Sequence, residues 1–260
     1  MPFSSPAVAV AVAVHLPLCL LAWKLKYLTR GGTIAGLALG LLVFLTFDWP
    51  GYLLLLLWPV VAHSITRHAV KVVQKKGRAV DEKKLAAKSF VYIFVRGLPA
   101  LAATLIALLA PEREQTTRLL GLIAYLAAMA AALGDVISTE LGQAYGRRTY
   151  RLITLERVKS GTRGGVSTEG SILGGVAILL FTVLSFVLFT EFGDPFHLTE
   201  HGLREVLAVT MAALIAVHVE SVAGGIFTQF QRKPSKLLLG FLGASLGALL
   251  AVFFTNLPEG

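Results

Sequence analysis

Apolar residues run along this chain in long blocks, each closed by a short polar or charged stretch. Eight blocks stand out: Pro6–Trp23, Gly32–Phe47, Gly51–Ile65, Ser89–Ala110, Leu119–Leu133, Ser171–Thr190, Val206–Phe227 and Leu237–Thr255. A helix that crosses a bilayer needs about 20 predominantly apolar residues. The second, third and fifth blocks are short by that measure. Asp48-Trp49-Pro50-Gly51 separates the second from the third, so a re-entrant pair is the alternative to two crossings there. Small residues recur four apart at Gly36/Gly40, Gly170/Gly174, Gly240/Ala244 and Gly243/Gly247, the spacing that lets helix backbones approach closely in lipid. The pattern predicts an all-α fold: a polytopic membrane helical bundle of about eight transmembrane segments. It forms one domain over 1–260, with a basic linker at 66–88 and a longer polar linker at 134–170.

Composition agrees. The chain is 55% hydrophobic and 15% charged, with a mean hydropathy of +0.73, where soluble domains are about 25% charged. Cys19 is the only cysteine, which excludes an internal disulfide and a cysteine-based metal site. The net charge of +9 is unusual for so apolar a chain, and its placement is informative. Met1–Pro6 carries no Lys or Arg, whereas Lys24 and Lys26 follow the first block. This predicts a retained helix with its N-terminus outside. With eight crossings from that start, 20 of the 24 cations fall on the cytoplasmic side and the acids gather on the other. The excess is then an orientation signal and a contact for anionic lipids, and no nucleic-acid partner is expected. The expected location is integral to a membrane, the inner or plasma membrane if the source is prokaryotic.

The stretch from Leu133 to Gly175 holds acids, glycines and six cations together. Asp135 and Glu140 lie where the fifth block ends. In a continuous helix they are separated by about 500°, hence on different faces. A break near Gly134 or Gly142 would let them converge. Carboxylates at a membrane boundary suit Mg²⁺, which takes one or two of them beside substrate phosphates. Ser160-Gly161-Thr162-Arg163-Gly164-Gly165-Val166-Ser167 reads as a phosphate cradle. Its glycines let backbone approach an anion, a following helix start favours negative charge, and Thr162, Ser167 and Arg163 offer donors. Arg96 and Glu220 fall within apolar blocks, where charge is costly and marks function. Either they pair with each other, or Glu220 joins Asp135 and Glu140 at a metal and Arg96 serves a phosphate. His218 reads as a packed core histidine. Thr29-Arg30-Gly31-Gly32 recurs as Thr162-Arg163-Gly164-Gly165, which makes Thr29 and Arg30 further binding candidates. The echo suggests a parallel four-plus-four repeat.

These residues resemble a membrane family that contains the plant phytyl-phosphate kinases of the vitamin E pathway and transmembrane protein 19. Gly134-Asp135-Val136-Ile137-Ser138-Thr139-Glu140-Leu141-Gly142 is similar to its central signature, Ala-Asp-Thr-Trp-Ala-Ser-Glu-Leu-Gly. Arg151-Leu152-Ile153-Thr154 and Ser160–Ser167 match the next two elements at the same spacing. Leu28–Gly32 matches an early one and Glu220–Gly224 a late one. The chain departs from the family at four places. Its Asn-Gly in the fourth block is Arg96-Gly97, its Asp in the late element is Glu220, an Asn of the last block is Gly240, and the signature Trp is Ile137. The resemblance implies Mg²⁺-dependent phosphoryl transfer from a nucleoside triphosphate, with CTP the suggested donor, to a prenyl monophosphate at the cytoplasmic face. Asp135, Glu140 and Glu220 would hold the ion. Gly161, Thr162, Gly164, Gly165 and Ser167 would cradle phosphate, with Arg163, Arg151 and Arg96 countering charge.

Three other readings use the same features: a transporter or flippase of a phosphorylated lipid, a cytidylyltransferase-like lipid enzyme, and a non-catalytic scaffold. An enzyme wants its acids at the boundary beside the glycine loop, and a transporter wants them near the midplane. A homo-oligomer is left open.

Overall fold

A computed structural model describes residues 5–78, 80, 88–111, 113–192, 202–229 and 235–257. Seven helices form where the apolar blocks predict them: α1 (Ser5–Lys24), α2 (Arg30–Lys75), α3 (Phe90–Leu109), α4 (Gln115–Tyr145), α5 (Thr168–Phe192), α6 (Leu203–Gln229) and α7 (Lys236–Thr255). Six of them, α2 to α7, are long and apolar enough to cross a membrane, and the apolar part of α1, Ala9–Lys24, is shorter. Large apolar side chains such as Leu109, Leu180, Leu249 and Phe253 face outward, as a lipid-facing surface requires.

The second and third apolar blocks both lie in α2, and the break between them is real. Asp48 leaves helical geometry with φ 52 and ψ −155. Its carboxylate accepts from Trp49 N–H at 2.8 Å, and Pro50 has no N–H to continue the ladder. A straight helix would carry His63 about 50 Å from Arg30 at 1.5 Å per residue. Instead the rings of Tyr27 and His63 lie 4.5 Å apart. The chain therefore turns back at Asp48, and α2 is a helical hairpin of two limbs.

Two linkers are shorter than the sequence suggests. The second limb of α2 stays helical to Lys75, so Arg67, Lys71 and Lys75 of the expected 66–88 linker are helical. α4 runs unbroken to Tyr145, so the first third of the expected 134–170 linker is helix too. The apolar block ends at Leu133, but burial does not: Gly134, Ile137, Glu140, Gly142 and Ala144 are all buried. Packing against neighbours carries the helix past the point where hydropathy falls. Lys83, Lys84, Arg232 and Lys233 lie outside the described residues.

α4 is the central helix, packed against α2, α3, α5, α6 and α7. Its run of alanines and glycines makes this feasible, because small side chains allow backbones to close up. A β-carbon on Gly121 would meet Ala107 of α3, one on Gly134 would meet Ile178 of α5, and one on Gly170 would lie 2.5 Å from Ser138 O of α4. Gly174 and Gly247 are likewise pressed against α4, as the small-residue spacing predicts. Around this axis sits one apolar cluster that includes Phe47, Leu54, Leu122, Tyr125, Ile178, Phe189 and Ala216.

The contacts fix helix directions. Tyr125 Oη donates to Gly51 O at 2.8 Å. At the far end of the same limb, Lys76 Nζ donates to Ala144 O and Arg78 Nη2 to Gln143 O, at 2.6 and 2.7 Å. The second limb of α2 thus runs alongside α4 in the same direction, and α3, α5 and α7 run against it. One end of the bundle therefore gathers the turns after α1, α2 and α4 and the start of α7.

At that end, residues 146–167 form a small antiparallel sheet of β1 (Thr149–Arg151), β2 (Arg157–Val158) and β3 (Gly165–Val166), in the order β2-β1-β3. The two Thr-Arg-Gly-Gly copies both lie at this end but fold differently. Thr29 is the N-cap of α2, its hydroxyl accepting from Gly32 N–H at 3.1 Å. Thr162–Gly165 closes the turn from β2 into β3.

Candidate functional site

A cavity of about 780 Å³ opens among the helices, within the usual range for small-molecule sites. Its apolar walls include Leu39, Leu55, Trp58, Met129 and Ile178, and it reaches His15 and Cys19 of α1. Its polar part is formed by Asp135 and Glu140 of α4, Arg96 of α3, Glu220 of α6 and the loop Gly161–Ser167.

Asp135 and Arg96 form an ion pair. Both terminal guanidinium nitrogens of Arg96 donate to Asp135 Oδ2, each at 3.3 Å. The two side chains are 12% and 18% exposed, so the pair is largely withdrawn from bulk water. The other carboxylate oxygen accepts from Thr139 Oγ1 at 3.4 Å. α7 makes room for the cluster. A β-carbon at Gly240 would lie 2.3 Å from Arg96 Cζ, and one at Gly243 would lie 2.3 Å from Glu220 Oε2. Glycines three apart on one helix face thus seat a guanidinium and a carboxylate side by side. Pairing with Asp135 is neither of the two arrangements expected for Arg96: its ion-pair partner is Asp135 in place of Glu220, and Glu220 faces the same space.

Glu140 is buried at 9% exposure. It lies five residues beyond Asp135 on an unbroken helix, so the convergence that a break at Gly134 or Gly142 would have allowed does not arise. Among the described residues no three His, Cys, Asp or Glu side chains gather closely enough to hold a metal ion. Asp135, Glu140 and Glu220 line one cavity without forming a three-carboxylate cage. Any ion there would rest on one or two carboxylates and on oxygens from the substrate.

The loop is built by two successive turns. Thr162 N–H donates to Lys159 O and Gly165 N–H to Thr162 O, both at 3.0 Å. Gly161 at φ 91 and Gly164 at φ 70 occupy the left-handed region, where a side chain is strained. Gly164 also presses onto α6: a β-carbon there would sit 2.2 Å from Gly225 N and 2.7 Å from Ser221 O. This contact pins the loop one turn from Glu220. Ser167 is buried, and its hydroxyl accepts from Gly170 N–H at 3.1 Å. It caps α5. In the first turn of α5, Glu169 accepts from Arg147 N–H at 3.2 Å. The positive end of that helix is thus already answered by protein oxygens. The loop groups that line the cavity include Arg163, Thr162 and the backbone at Gly161.

Three predicted residues lie apart from the cavity lining. Arg151 stands on β1, paired with Glu156 at 3.6 Å. Thr29 spends its hydroxyl on its cap, and Arg30 lies 5.9 Å from the centroid of the Trp23 ring. His218 donates to Leu214 O at 2.8 Å, a satisfied histidine as expected, though it also touches the cavity. Lys88, His63, Tyr92 and Lys236 line the cavity as well and were not singled out from sequence. Lys88 is held by backbone pairing with Tyr27 and Thr29, and its ammonium sits 4.9 Å from the centroid of the Tyr92 ring. The signal for it was the helix start at Ser89, which places the preceding residue beside the first turn of α3.

Known proteins bear on this arrangement. The chain is 30% identical over 228 residues to Uncharacterized membrane protein sll0875 of Synechocystis sp., covering 87% of this chain and 82% of that one. It is 24% identical over 253 residues to Protein VTE6, chloroplastic, of Arabidopsis thaliana, covering 96% and 72%. It is 22% identical over 244 residues to Uncharacterized membrane protein MJ0933 of Methanocaldococcus jannaschii, covering 93% of each. No solved structure matches. The family model described as Integral membrane protein DUF92 matches residues 13–240, and with the cavity, the six long apolar helices and these relatives it identifies the chain as a member of that integral membrane family.

Proposed function

We propose that this protein is a membrane-embedded prenyl-phosphate kinase. It would transfer a phosphoryl group from a nucleoside triphosphate, CTP being the first to test, to a polyprenyl or phytyl monophosphate. The observation that carries the reading is one cavity with an apolar body and a polar end, where Arg96, Asp135, Glu220 and the Gly161–Ser167 loop converge. An apolar body suits a prenyl tail. The polar end suits what phosphoryl transfer needs, which is positioning and charge neutralisation rather than covalent chemistry. The resemblance to phytyl-phosphate kinases and the similarity to the Arabidopsis relative over 96% of the chain support it.

In this reading Arg163 and the backbone near Gly161, with Thr162, Gly164, Gly165 and Ser167 shaping the loop, bind phosphate. Mg²⁺ would neutralise the nucleotide phosphates, in a space that the carboxylates of Asp135, Glu140 and Glu220 line. Arg151 supports the loop from β1 rather than touching substrate, and Thr29 and Arg30 shape the turn opposite. α1, both limbs of α2 and α3 to α7 make eight crossings, with the N-terminus outside, the basic end cytoplasmic and in contact with anionic lipids. On this arrangement the first four crossings and the last four form two parallel repeats.

Incubating the purified protein with labelled CTP or ATP and a series of prenyl monophosphates tests the proposal. Labelled prenyl diphosphate is the expected product. A nucleotide-linked lipid with pyrophosphate release would replace this reading with a cytidylyltransferase. Nucleotide-independent movement of prenyl phosphate across vesicles, with no product, would replace it with a transporter.

A further inference from the structure

The cavity places three charged side chains from three helices in one space: Asp135 from α4, Glu220 from α6 and Arg96 from α3. Two carboxylates that share one space drawn away from water call for a cation beside them. We infer that Arg96 is that cation. Its guanidinium occupies the position a divalent ion would otherwise take at the Asp135–Glu220 pair, so this chain meets the phosphate end of its ligand here with a fixed organic charge.

Three observations bear on it. First, Arg96 commits both terminal nitrogens to one oxygen, Asp135 Oδ2, at 3.3 Å each. An ion ligated through that oxygen would have to displace both contacts. Second, the space for the guanidinium is built into the backbone. Gly240 lies against Arg96 Cζ so closely that a methyl group would overlap it, and Gly243 does the same for Glu220 Oε2. The side chain is seated in a fitted recess of α7. Third, no group of three ligating side chains forms among the described residues, although Asp135, Glu140 and Glu220 all line the cavity. Arg96 Nε is buried with no hydrogen-bond partner, so the guanidinium is not saturated by protein oxygens. A planar, always-charged fork of this kind matches a phosphate.

This inference deepens the proposed function and rests on Asp135 and Glu220 belonging to that site. It does not rest on phosphoryl transfer. Mg²⁺ brought by a nucleotide is carried on the nucleotide's own phosphates in this scheme, so the test omits nucleotide and reads metal binding alone.

The test is Mn²⁺ binding to the purified full chain, followed by electron paramagnetic resonance. Wild type, Asp135→Asn and Glu220→Gln should bind Mn²⁺ equally, within about twofold. Arg96→Met should gain a site at least tenfold tighter than any in wild type, and Arg96→Met/Asp135→Asn should lose it. The inference is overturned if Asp135→Asn or Glu220→Gln alone weakens Mn²⁺ binding tenfold or more, since the pair then already holds a metal. It is also overturned if folded Arg96→Met gains nothing. If Arg96→Met does not fold, the comparison of wild type with the two single carboxylate variants decides. Absence of kinase turnover alongside the expected Mn²⁺ pattern would defeat the functional proposal and leave this inference standing.

Discussion

Replacing Gly164 by alanine should detach the loop from α6. At φ 70 a residue with a β-carbon costs about 1–2 kcal/mol in backbone strain. That β-carbon would also lie 2.2 Å from Gly225 N and 2.4 Å from Gly225 Cα, both backbone atoms that no rotamer change can move. Overpacking of this kind typically costs about 1–3 kcal/mol. Together these give about 2–5 kcal/mol, and even 2 kcal/mol changes a population ratio roughly 30-fold. Gly161 is the internal control. It too has positive φ, at 91, but its nearest neighbour would be Gln143 Cδ at 3.9 Å, so only the backbone cost applies. The loop carries Arg157, Lys159 and Arg163, which makes trypsin the natural reporter of the open population. Gly164→Ala should be cleaved there at least tenfold faster than Gly161→Ala, with the helices intact by circular dichroism. Equal cleavage of the two variants would refute the claim that the Gly164–Gly225 contact holds the loop.

Asp135→Ala and Glu140→Ala should each lower conversion of prenyl monophosphate at least 100-fold, the usual loss when one preorganised charge is removed, while the protein stays folded in the membrane; full activity in either removes that residue from the site. Gly240→Ala should displace the Arg96 guanidinium and lower turnover, whereas Gly36→Ala, which meets only Leu28 Cδ1 at 3.7 Å, should not; equal turnover in the two would show that the recess in α7 is unimportant. Tyr125→Phe removes the bond to Gly51 O and should destabilise the protein by about 1 kcal/mol, read as a lower Tm with turnover unchanged.

Much of the fold was legible because hydropathy and small-residue spacing are local signals. The break at Asp48 was visible in Asp48-Trp49-Pro50-Gly51, and close packing at Gly170 and Gly174 followed from their separation. The end of α4 was not legible. It is set by tertiary contacts at Gly142 and Ala144, beyond the last apolar residue of the block. The site was legible in its parts and not in its pairing. Arg96 and Gly240 read as two unrelated departures from the family pattern, 144 positions apart. In the fold the guanidinium of one occupies the space left by the missing side chain of the other, so they form a single exchange of volume and charge. Ser167 shows the opposite case: a hydroxyl assigned to phosphate by its setting among glycines is used as a helix cap.

The hold of Lys76 and Arg78 on the carbonyls of Ala144 and Gln143 has a practical consequence for anyone who tries to establish sidedness by charge swapping. Both residues belong to the cationic cluster that such an experiment would neutralise first. They also close the C-terminal end of the central helix, where carbonyls lack partners within the helix. Neutralising them changes the charge under test and unfastens α4 in one stroke, so a lost protein could be mistaken for an inverted one. Lys71 carries the same charge with no such bond to α4 among the described residues, and is the cleaner position at which to begin.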